Sequence, residues 1–67
     1  MNKKNKTLKE NFSEALQAFK KKDYKNSEII CYKILSIDSN HFDSLVLLSN
    51  IYAMNGNFEK AKELLSK

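Results

Sequence analysis

Apolar residues fall into four runs of helical period, separated by short polar breaks. Leu8, Phe12, Ala15, Leu16 and Phe19 recur at intervals of three and four, with Lys9, Ser13, Gln17 and Lys20 beside them. On a helix that set forms one apolar stripe. Thr7-Leu8-Lys9-Glu10 has the spacing of a capping box, in which the Thr side chain accepts from the backbone three residues on and Glu reaches back. Lys20-Lys21-Lys22-Asp23 then breaks the pattern. Lysines suit the negative end of a helix dipole, and Asp23 is a good N-cap for the next helix. From Tyr24 to Ile37 the apolar set is Tyr24, Ile29, Ile30, Cys31, Tyr32, Ile34, Leu35 and Ile37. That is more than one stripe and predicts a helix packed on two sides. The isoleucines favour strands, but the run is too long for one, and Asn26, Glu28 and Lys33 do not alternate. After Asp38-Ser39-Asn40 comes a leucine-rich run to Met54. Gly56 then interrupts it, and Asn57 caps a last segment with Ala61, Leu64 and Leu65 inward. The prediction is an all-α chain with helices at roughly 7–21, 24–37, 41–54 and 58–67. Residues 1–6, MNKKNK, lack periodicity and are expected to form a flexible basic tail.

The runs repeat. Asp23-Tyr24 superposes on Asn57-Phe58 at a spacing of 34, and at that spacing Ser27 falls on Ala61, Ile30 on Leu64 and Cys31 on Leu65. Helix–turn–helix units of this period resemble the tetratricopeptide repeat, whose pattern is W-x2-L-G-x2-Y, then A-x3-F, then P. In the second unit Leu45, Leu48, Ser49 and Tyr52 stand at the first four places, with Ala61 and Leu65 at the next two. Gly56-Asn57-Phe58 resembles the family's turn, and Phe58, Ala61 and Leu65 would close the fourth helix onto the third. In the first unit, strict spacing gives Asn11, Glu14, Ala15 and Ala18, then Ser27 and Cys31. A turn one residue shorter gives Phe12, Ala15, Leu16 and Phe19 instead. The shorter turn is preferred because it puts the apolar stripe inward, although it sets Leu16 where the family has a small residue. Ser39 stands at the usual proline place.

The resemblance implies antiparallel helix pairs stacked as a short right-handed α-solenoid, with two hairpins over residues 7–67. It implies a non-catalytic protein–protein interaction module or scaffold that binds a peptide or partner protein on the concave face of each pair's first helix. The residues expected on that face are Ser13, Gln17, Lys20, Val46, Asn50 and Ala53. Some family members clamp a partner's C-terminal carboxylate with Lys and Asn. Here Leu47 takes the key Asn place and, at strict spacing, Phe12 and Leu16 take the others, so the clamp is not carried over. Solenoids usually need three repeats and polar ends. About two repeats leave Leu64 and Leu65 as edge-interface candidates, for a homodimer or for continuation of a longer array.

Net charge is +4 and every basic residue is lysine. Residues 1–25 hold eight lysines against Glu10, Glu14 and Asp23, whereas residues 26–67 hold four against five acids. The alternative function is therefore a small basic helical protein that binds nucleic acid. Two features weigh against it. Arginine, the commonest specific base reader, is absent. Phe12, Phe19 and Tyr24 read as core rather than as a stacking platform. One cysteine permits no internal disulfide and suits a reducing compartment. No apolar run suits a signal peptide or a membrane span, so a cytoplasmic chain without membrane insertion is expected.

Candidate chemistry is sparse. Cys31 and His41 could form a thiol–imidazole pair, but Cys31 lies on an apolar face and reads as inert, and His41 reads as a solvent-facing turn residue. One Cys and one His make no zinc site. Glu10/Glu14 and Glu59/Glu63 read as solvated helix faces, and a lone glycine makes no phosphate loop. No catalytic, metal-binding or cofactor-binding residue is expected, and no enzyme activity. Tyr52 reads as core; Tyr32 points outward, as an exposed ring or a partner contact.

Overall fold

Each apolar run becomes a helix because a polar side chain closes its first turn. The computed structural model describes residues 7–66. The tail expected at 1–6, and Lys67, expected to end the fourth helix, lie outside the described residues. Four α-helices and no strand are found among the described residues: α1 (Leu8–Lys20), α2 (Tyr24–Ile37), α3 (Phe42–Met54) and α4 (Phe58–Leu65). Thr7 and Glu10 form the capping box, with Glu10 N–H donating to Thr7 Oγ1 at 3.0 Å and Thr7 N–H to Glu10 Oε1 at 2.9 Å. Asp23 accepts from Asn26 N–H and Asn57 from Lys60 N–H. The expected boundaries at Thr7, Lys21 and His41 fall on caps rather than inside helices.

The two hairpin turns are the same structure. After α1, Lys22 N–H donates to the Phe19 carbonyl and Asp23 N–H to the Ala18 carbonyl, at 2.9 and 2.8 Å. After α3, Gly56 N–H donates to Ala53 and Asn57 N–H to Tyr52, at 3.0 and 2.8 Å. Both are Schellman motifs, which need a left-handed residue just past the helix end. Gly56 has φ 82° and Lys22 has φ 65°. The turns therefore have equal length, and the shorter first turn preferred from sequence is wrong. The strict spacing holds: Asn11 and Ala15 are the buried residues of α1, and their counterparts Leu45 and Ser49 are among the six buried residues of α3. Phe12, Leu16 and Phe19 are only partly buried.

Lys22 takes a conformation that costs a side chain with a Cβ about 1–2 kcal/mol, whereas glycine takes it freely. Lys22→Gly should raise stability by about 0.5–1 kcal/mol, after the added freedom of the unfolded chain is subtracted. The space where a Cβ would sit on Gly56 is open, so Gly56→Ala should lose about 1 kcal/mol from backbone strain alone. Urea denaturation of both variants checks the pair, and a destabilised Lys22→Gly would contradict the turn geometry.

Small side chains set the closest approach within each hairpin. Ala15 and Ser27 are fully buried, and Ser27 Oγ donates to the Ala15 carbonyl at 2.8 Å. Their counterparts are Ser49 and Ala61, both buried, with the serine on the other helix; Ser49 Oγ donates to the Leu45 carbonyl at 2.7 Å. A buried hydroxyl left without a partner would cost about 1–3 kcal/mol, so both bonds matter. Around these crossings lies one core: Ala15, Cys31, Leu45, Leu47, Leu48, Ile51 and Leu64. α2 packs on both α1 and α3, as its wide apolar face predicts, while Ile29 and Ile37 remain exposed. Fully burying Ile34, Leu48 and Ile51 stabilises by roughly 1.5–3 kcal/mol each.

α4 departs from expectation. Ala61 and Leu64 face α3 and are buried, while Phe58 and Leu65 are exposed. Leu65 corresponds to Cys31, which is buried because α2 is covered by α3 as well as by α1. Among the described residues α4 packs on α3 alone. Leu64 is thus a core residue and not an edge residue, and of the two edge candidates only Leu65 is open to solvent.

Candidate functional site

Between the first helices of the two hairpins runs an apolar groove of about 350 Å³. α1 contributes Phe12 and Leu16; α3 contributes Phe42, Asp43, Val46, Leu47 and Asn50. α1 and α3 touch only along a short stretch, because each packs chiefly on its hairpin partner or on α2. Phe12 is held by ring contact with His41, at 5.7 Å between centroids and tilted by 54°. His41 is not the solvent-facing turn residue expected. It is half-buried and caps α3: Nδ1 accepts from Ser44 N–H at 3.2 Å and lies 2.8 Å from Ser44 Oγ. That pattern assigns the neutral tautomer with its proton on Nε2.

The residues expected on this face divide. Val46 and Asn50 line the groove. Ser13, Gln17 and Lys20 are exposed on α1 and do not line it, and neither does half-buried Ala53. The misplaced residues on α1 follow from the one-residue register error. At the true spacing, the counterparts of Val46 and Asn50 are Phe12 and Leu16, which do line it. The signal was available in the strict alignment of the two turns. Leu47 stands at a clamp place of the resembled family, whereas Phe42 and Asp43 gave no comparable sign in sequence.

A second polar constellation joins the hairpins. Tyr52 Oη donates to Glu28 Oε2 at 2.9 Å, and the Tyr32 and Tyr52 hydroxyls lie 2.6 Å apart. With the Tyr52 proton directed at Glu28, Tyr32 is the donor to Tyr52. Lys60 Nζ stands 5.9 Å from the Tyr52 ring centroid. Burial above all, and the Glu28 carboxylate that accepts its proton, hold the Tyr52 phenol well above the ordinary tyrosine range. This phenol keeps its proton and bridges α2 to α3. Tyr32, left open between exposed ring and partner contact, is half-exposed and anchored by its hydroxyl.

Cys31 is fully buried, and burial, helped by the charge of Glu28, pushes its thiol up to about 11. A buried neutral thiol is a poor nucleophile. Among the described residues no group of three His, Cys, Asp or Glu side chains could hold a metal, and no helix is long and apolar enough to cross a membrane.

No family model, curated protein or solved structure matches the chain.

Proposed function

We infer that the protein is a non-catalytic interaction module of tetratricopeptide type, which seats a peptide segment in the groove between α1 and α3. One observation carries the reading. The two hairpins repeat at a spacing of 34 with matching turn hydrogen bonds, and their first helices flank an apolar groove open to solvent. Apolar grooves edged by a few polar groups are the usual form of peptide sites. The nucleic-acid alternative draws less support, because among the described residues no lysine lines the groove and Asp43 would repel phosphate.

The test is selection from a displayed random peptide library against the native protein, followed by fluorescence anisotropy with the enriched peptides. Val46→Glu puts a charge in the middle of the groove and should weaken enriched peptides by about tenfold or more, while circular dichroism shows the helices intact. Peptides that bind both proteins equally would refute the site. Binding that disappears on nuclease treatment would favour the alternative.

A further inference from the structure

The chemistry of the groove's ends specifies its ligand further, on the footing that the groove is the peptide site. Asp43 and Phe42 lie together on the first turn of α3, and both line the groove. Phe42 is 68% exposed. Among the described residues the Asp43 carboxylate has no hydrogen bond and no ion pair. Its counterpart on α1, Lys9, is exposed and does not line the groove. A carboxylate with no partner among the described residues, on the same groove as an uncovered aromatic ring, selects a cation, and a guanidinium best of all. It can pair with both carboxylate oxygens and lie flat on an aromatic face. Asn50 lies seven residues further along α3, about 10 Å at 1.5 Å per residue. Between them Val46 lines the apolar stretch together with Phe12 and Leu16 of α1. An extended chain advances about 3.3 Å per residue, so roughly three residues cover the distance.

We propose that the groove takes an extended peptide with an arginine against Asp43 and Phe42, a large apolar side chain over Val46, and backbone held by the Asn50 amide. The ligand class is thus a basic, apolar-anchored segment, opposite in charge to a carboxylate-terminated one.

Two fluorescein-labelled peptides test this, Ser-Arg-Ser-Leu-Leu-Ser with capped ends and the same peptide with Glu for Arg. The arginine peptide should bind about fivefold more tightly to the native protein, the size of one exposed ion pair. Asp43→Asn should bring the ratio near one. Asp43 also suits the positive end of the α3 dipole, so the ratio, unlike the affinity alone, separates ligand pairing from helix stability. Equal binding of the two peptides, no binding of either at millimolar concentration, or a preference that survives in Asp43→Asn would overturn the arginine assignment and leave the groove reading standing. Arginine-peptide binding that is unchanged in Val46→Glu would overturn the groove itself.

Discussion

Leu48→Asp should unfold the protein. Leu48 is fully buried on α3, in the core shared with Cys31, Ile51 and Leu64. An aspartate there must either bury an unpaired charge or open the core to water, at a cost of 4 kcal/mol or more. A chain of this length has roughly 3–10 kcal/mol of total stability at 0.05–0.15 kcal/mol per residue. The expected result is loss of most helical circular dichroism and of a cooperative urea transition. Asn50→Asp, on the exposed side of the same helix, is the control and should fold normally. A Leu48→Asp protein with a native transition would show that the inward face of α3 is misassigned.

Asn11→Leu should have the opposite sign. Asn11 is 8% exposed, and among the described residues its side-chain amide has no hydrogen-bond partner. Its counterpart in the second hairpin is Leu45, also 8% exposed and part of the core. A buried amide without a partner costs about 1–3 kcal/mol, and leucine of similar size would also contribute apolar burial. The variant should gain about 2 kcal/mol, which for a domain this small is about 10 °C in Tm. A lower Tm would show that the amide is satisfied in the folded state or that the site cannot take the branched side chain.

The helices and their period were legible because caps and apolar spacing are local signals. Thr7, Asp23 and Asn57 announce three helix starts, and the gap between Asp23 and Asn57 gives the repeat. His41 was not legible as a cap, because a histidine rarely performs a task that Ser, Asp or Asn does more often. The register of α1 failed for a different reason. The large residues Phe12, Leu16 and Phe19 mark the broad apolar face of the helix, whereas the closest helix contact is set by the smallest side chains, Ala15 and Ser27. Lys22 concealed the match as well, since sequence rules look for glycine at a left-handed position. Half the groove was lost with the register. On α4, Ala61, Leu64 and Leu65 share one side of a short helix, and only the crossing with α3 decides that Leu64 is buried and Leu65 is not.

The packing joins neighbours in the chain: α1 with α2, α2 with α3, α3 with α4, and only a slender contact between α1 and α3. Almost every tertiary contact therefore closes a loop no longer than one hairpin, and the entropy of closing such loops is small. Chains of this low contact order cross their folding barrier in microseconds to milliseconds. The same topology gives opening a preferred place. α1 and α4 end the stack, and α1 also carries the strained Lys22 turn and an Asn11 amide with no partner among the described residues, so these end helices are expected to exchange their amide hydrogens first, while α3, held from both sides, keeps them longest.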